Sequence, residues 1–375
     1  MNKSVLMRNA HTTTMAATAA LAAAIGAATT AMAVDEMKAQ GTTSSMGETF
    51  FDRAVNWTNE TLNVSIPPSD PAAADYNYKF YGISLRSPGS SGLHVFHSQK
   101  FTVSGTSSTP GIINEALASG VGTNRFENQG LVLGNWSRIT PLNSRYGDVT
   151  YEGEIAITAD NSSRQAVLSA GYVDGNKAGR LRLAGTLKGA GYFKLNAGGV
   201  GARTIVEADA TGFTGRLVVG NEGAWTAFDC PVFNGNVETF KGGAIGTERA
   251  TTAQLKSLTI DSSGTTLIVP FSENAGRTGT ITVTNAFSQA GTMAVQLCGD
   301  LPPPGKYPVL RLASGCTGDF DQSQISFGGF VTDLRVAKTV STRYAATALS
   351  FATEGDGSCV LYVDVRDLPT VITMR

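Results

Sequence analysis

The sequence predicts an all-β chain wound as a parallel β-helix or solenoid and closed by a C-terminal capping hairpin, with a β-sandwich as the alternative. Three observations carry this. From Leu181 to Leu297 the chain is a run of short apolar-alternating segments separated by Gly, Asn, Asp and Ser. Few two-residue Asn-Gly or Asp-Gly turns join matched segments, as a meander of hairpins would require. The connections also vary in length, as loops leaving a regular coil do. Composition agrees: Gly 43 and only 16% charged residues in 375 suit many short strands and tight turns better than helices. Coils of roughly 20–25 residues would give about seven coils between Thr150 and Gly315, each burying apolar side chains against its neighbours.

In chain order, the first 33 residues read as a signal peptide. Lys3 and Arg8 precede the apolar run Met15–Ile25, and Ala31-Met-Ala33 supplies small residues at the cleavage positions. Cleavage after Ala33 would remove two basic and no acidic residues, taking the net charge from −1 to −3. That balance carries no basic footprint for nucleic acid or for an anionic membrane. No later stretch reaches the roughly 18 apolar residues of a transmembrane span. The expectation is an exported chain, secreted or at the cell surface, with no transmembrane segment once matured.

Residues 34–75 form a polar lead-in with the first strands. Asn56, Asn59 and Asn63 each begin an N-x-[ST] glycosylation match, a pattern that chance supplies often in a Ser/Thr-rich chain. The solenoid is placed at 76–315. It starts with two strands rich in aromatic and β-branched residues, Tyr76–Leu85 and Gly92–Val103. Ile112–Leu117 is the best candidate for a short helix, and strands resume at Gly130. In the repetitive stretch, alternation puts Leu181, Leu183 and Leu187 on one side while Arg182 and Lys188 look away. The closing strands fall in 316–375. Thr347–Thr353, a Glu-Gly-Asp-Gly turn and Ser358–Val365 make a hairpin suited to cover the open edge of the last coil.

Several of these motifs bring a family into view. Gly185-Thr-Leu-Lys-Gly-Ala-Gly-Tyr-Phe-Lys-Leu195, Asp209-Ala-Thr-Gly-Phe-Thr-Gly215, Gly242-Gly-Ala244 and Gly305-Lys-Tyr-Pro-Val-Leu310 resemble the autotransporter-associated β-strand repeat proteins. The resemblance covers Leu181 to Leu312 and hardly touches the N-terminal third. It implies a right-handed parallel β-helix outside the cell, adhesin-like or structural, with surface glycans or other surface proteins as partners. It brings no catalytic residues to carry over. The chain departs from full autotransporters in lacking room for a membrane barrel.

The chemistry-bearing residues are few. Asp148, Glu152 and Glu154 alternate on one strand and would share a face, the nearest approach to the paired carboxylates of a glycosidase. A solvated strand face is the plainer reading. Asp209, before Thr211, is read as a turn cap. His94 and His97, three apart on a strand, point to opposite faces, which is poor geometry for a shared metal. The cysteines Cys230, Cys298, Cys316 and Cys359 have spacings unlike a zinc site. Four cysteines allow three pairings; Cys298 with Cys316, flanking a Pro-rich turn, is the first to try. Trp57, Trp136 and Trp225 suit a sugar platform or, more often, a core. No G-x-S-x-G elbow, phosphate loop or calcium repeat occurs. No cofactor is expected. Two functions stand: a non-catalytic surface, adhesin-like or matrix solenoid, and a carbohydrate-active β-helix, either polysaccharide lyase or glycosidase.

Overall fold

A strand that buries one face needs something on both edges and beneath it, and a coil that returns over itself supplies all three. The structure, a computed structural model, shows this arrangement. It describes residues 42–45, 48–51, 56–57, 61–65, 77–80, 82–87, 91–97, 100–104, 111–117, 120–141, 147–170, 180–197, 203–220, 225–300, 302–331 and 348–366. The proposed signal peptide lies outside them.

The chain alternates between two sheets. In sheet A, the strands Gly120–Leu133, Gly147–Ile157, Arg180–Leu183, Arg203–Val206, Trp225–Phe228 and Ala244–Gly246 pair in parallel, each with the next. Thr265–Ser272, Met293–Gly299 and Ile325–Val331 continue that ladder. Sheet B takes the intervening strands, among them Ser137–Pro141, Ala166–Ala170, Tyr192–Ala197, Arg216–Gly220, Val232–Phe240, Thr252–Ile260, Thr280–Gln289 and Gly305–Leu312. Hydrogen-bonded partners on neighbouring coils lie from 19 to 32 positions apart, a looser period than the 20–25 expected. The protein is an all-β parallel β-helix.

A third, shorter run begins where sheet A bends. The first half of Gly147–Ile157 pairs with Arg180–Leu183 and the second half with Thr186–Lys188. Gly153 and Gly185, with φ of 94° and 104°, make that corner on successive coils. A Cβ on Gly185 would come within 2.3 Å of the Gly153 carbonyl oxygen, so the sequence has glycine where only glycine fits.

Between the sheets the inward residues form one continuous core, including Leu181, Leu183 and Leu187 as the alternation predicts. Their neighbours Arg182 and Lys188 stay half-buried on the outside. Phe233 packs at 5.4 Å from Phe213 and 5.3 Å from Phe228, ring centre to ring centre, joining consecutive coils. Each such ring contributes roughly 1.5–3 kcal/mol by leaving water.

Three features differ from expectation or add to it. Ile112–Leu117 is no helix: Gly111–Leu117 is a strand paired in parallel with Gly82–Ser87 and with Ser137–Pro141. A helix of six residues forms few internal bonds, whereas the two flanking strands supply partners for its backbone. Parallel pairing also extends beyond 76–315, back to Glu48–Phe51, Asn56–Trp57 and Thr61–Ser65 and forward to Ile325–Val331. The hairpin of Ala348–Thr353 and Cys359–Val365 then closes sheet B, pairing antiparallel onto Gly305–Leu312. It covers the last coil's edge as expected.

Candidate functional site

Sheet A carries apolar and charged side chains on its outer face as well. Outward Ile205, Trp225, Ala227, Ala244, Ile268 and Cys298 form a second buried cluster. This follows from the sequence: in Arg203–Val206 and Trp225–Phe228 all four residues are buried, so these strands are covered on both sides. Arg203 lies over the Trp225 ring at 5.7 Å.

Beside that cluster, parallel register lines up three carboxylates on successive coils. Val206 pairs with Phe228, which sets Glu207 beside Asp229. Glu248 follows on the next coil, its backbone N–H donating to Asp229 Oδ1 at 3.0 Å. Arginines engage all three. Arg182 pairs closely with Glu207. Arg249 donates from Nε to Asp229 at 2.9 Å and reaches Glu207 from Nη2 at 3.3 Å. Glu248 sits between Arg203 at 2.9 Å and Arg180 at 3.8 Å. Burial nevertheless pushes the Glu248 carboxyl up from the ordinary glutamate value, outweighing Arg203 and Arg180. Its Oε2, although near Arg203, makes no well-directed hydrogen bond, and the Trp225 Nε1–H is likewise buried without an acceptor.

Coils of a parallel ladder repeat about every 4.8 Å, so neighbouring carboxylates of this column stand near the roughly 5–5.5 Å of a retaining glycosidase pair. Access does not match that chemistry. The Asp229 side chain is 1% exposed and Glu248 12%. The arrangement cross-links coils: each arginine meets a carboxylate of a different coil.

The residues singled out from sequence are described in part. Glu152 and Glu154 flank the Gly153 corner, and Glu154 pairs with Lys188 at 2.6 Å. The Asp148 side chain lies outside the described residues, as do those of His94, His97 and Trp57. All four cysteines are free. Cys298 belongs to the outer cluster, while Cys316 packs against the interior core. Trp225 is buried, and Trp136 is half-exposed in a turn at φ 58°. Asp209 does cap its turn, accepting from the N–H and hydroxyl of Thr211 at 3.0 and 2.7 Å. Among the described residues no group of three or more His, Cys, Asp or Glu is arranged to hold a metal, and no helix is long and apolar enough to cross a membrane.

Fold and outer face together define a β-solenoid whose charged groups tie coil to coil. No family model, curated protein or solved structure matches the chain.

Proposed function

We propose that the protein is an exported, non-catalytic β-solenoid serving as an adhesin-like or matrix component at the cell surface, of the kind that the autotransporter-associated β-strand repeats build. The observation that carries this reading is the fate of the outward charges on sheet A. Glu207, Asp229 and Glu248 are consumed by Arg180, Arg182, Arg203 and Arg249 in contacts between coils, which stiffens a rod rather than equipping a cleft. The leader-like first 33 residues and the low charge support export.

The same column favours a second reading, a carbohydrate-active β-helix, because Glu248 has the raised pKa expected of a general acid. One experiment separates the two. Cells expressing the chain are fractionated, and the purified protein and its Glu248→Gln variant are assayed on a polysaccharide panel. The structural reading expects the protein outside the cytoplasm and no turnover. Turnover abolished by Glu248→Gln would establish the enzyme instead, and retention in the cytoplasm would end the surface role.

A further inference from the structure

Sheet B's outer face carries a different kind of site. Lys194 Nζ lies 4.8 Å from the centre of the Phe240 ring, and Lys241 Nζ lies 5.4 Å from the same centre. The register explains how they meet. Asn196, Gly220 and Phe240 are partners on successive coils, while Lys194 stands in the neighbouring column with Val218 and Glu238. Gly220, lacking a side chain, leaves the path from Lys194 to the ring open. Lys241 follows Phe240 directly, in the turn closed by the Gly243 N–H to the Phe240 carbonyl at 3.2 Å.

Two ammonium groups converging on one ring repel each other, and proteins ordinarily place a carboxylate between such groups. Here neither lysine makes an ion pair among the described residues. Glu238, the acidic residue nearest in register, is taken by Arg216. Burial first and Lys241 second lower the Lys194 pKa, so the ammonium is held at a cost. Lys241 also sits at φ 52°, a left-handed conformation that a lysine adopts only under local constraint. Unpaired like charges, an aromatic anchor and backbone strain occur together at one place.

We propose that Lys194, Phe240 and Lys241 form a binding subsite for the carboxylate of an acidic polysaccharide, with the anion seated between the two ammonium groups. The rest of the face selects for a glycan. It is a polar ladder, with Ser257 Oγ donating to Asn236 at 2.7 Å and Arg216 paired to Glu238, and it offers hydrogen-bonding groups at each coil step of about 4.8 Å. A repeating sugar chain presents hydroxyls on a similar scale. A nucleic acid would call for a broad basic stripe, which a chain of net charge −1 does not supply. The inference deepens the surface role proposed above and rests on it for the ligand class; the binding test uses purified protein, so it can fail while localisation stands.

The test is titration with polygalacturonate, its methyl ester, inorganic sulfate and duplex DNA. Lys241→Gly is the informative variant, since glycine accepts φ 52° and keeps the backbone N–H bond to Asp261. Lys194→Met keeps the alkyl stem over the ring, and Lys306→Met, which removes a lysine lying over Tyr362 on the cap, is the control. The expected result is binding of polygalacturonate that weakens with salt and disappears on esterification. Each of the first two variants should weaken it about tenfold without lowering the melting temperature, and the control should leave it unchanged. Equal binding of the methyl ester, indifference to both variants, or binding confined to sulfate or to DNA would overturn the assignment.

Discussion

Arg203 Nη1 lies 2.9 Å from Glu248 Oε2 on the outer face of sheet A, with only 10% and 12% of the two side chains exposed. A pair this covered has given up most of its hydration, and mutual attraction offsets that loss only while both partners are present. Removing Arg203 leaves Glu248 only the more distant Arg180, at 3.8 Å. Arg203→Met is therefore expected to destabilise the fold by about 3 kcal/mol, and the Arg203→Met/Glu248→Met double variant should recover much of it. Denaturant titration of Arg203→Met, Glu248→Met and the double variant checks this; a double variant as unstable as the sum of its parts would refute it.

The same glutamate and the turn aspartates respond to pH in opposite directions. Asp209, Asp321 and Asp356 are each held below the ordinary 3.8, first by a hydroxyl donated from Thr211, Ser323 and Ser358 respectively. A lowered folded pKa contributes stability that is present above pH 3.8 and disappears as pH falls through the folded value. Glu248 is raised, so its folded state binds the proton more tightly, and it costs stability as pH climbs from 4.5 through its folded pKa. Denaturation midpoints measured from pH 2 to 7 should rise with pH at the acid end. Replacing the three aspartates by Asn, whose amide oxygen still accepts the same bonds, should flatten the acid limb. Glu248→Gln should instead flatten the limb above pH 4.5.

These features differ in how far the sequence foretells them. Alternation is local to a strand, so Leu181 and Leu183 on one strand and Leu187 on the next could be assigned inward without knowing what they meet. The Asp209-x-Thr211 cap was readable for the same local reason, and Asp321-x-Ser323 and Asp356-x-Ser358 repeat it. The arginine–carboxylate network was not. Arg182 and Glu207 are 25 positions apart and Arg249 and Glu207 are 42, so their meeting depends on the length of every intervening loop. Ile112–Leu117 differs for a third reason: Ile-Ile-Asn-Glu-Ala-Leu is too short to show a period, and the partner strands on either side decide its state. The positive φ of Gly153, between Glu152 and Glu154, is likewise a corner that strand alternation does not announce.

Thiol reactivity should divide the four cysteines. Burial pushes the Cys230 and Cys298 thiols up to about 12. At pH 8 only about one molecule in 10⁴ would then carry either as thiolate, and neither sulfur is open to a reagent. Cys316 and Cys359 are partly exposed at the capped end. Native protein treated with iodoacetamide should be alkylated at Cys316 and Cys359, with Cys230 and Cys298 labelled only after denaturant is added. Peptide mass mapping reads the four sites separately, and prompt labelling of Cys298 in the native protein would mean that the outer face of sheet A stands open.

The corner between sheet A and the third run should tolerate substitution poorly. Gly185 has φ 104°, and an added methyl would meet the backbone of Gly153 on the preceding coil at 2.3–3.0 Å. Backbone atoms shared by two ladders cannot step aside as a flexible side chain would. Gly185→Ala thus combines conformational strain with a collision, and a loss of about 3 kcal/mol is expected. Gly355, in the turn of the closing hairpin, is the matched control: nothing lies within 4 Å of its added Cβ and its φ lies outside the left-handed range. Gly355→Ala should change stability by no more than about 0.5 kcal/mol. Paired melting curves decide the matter. If the two substitutions cost the same, stacked corners are not what keeps the coils in step, and the bend at Gly153 and Gly185 would need another cause.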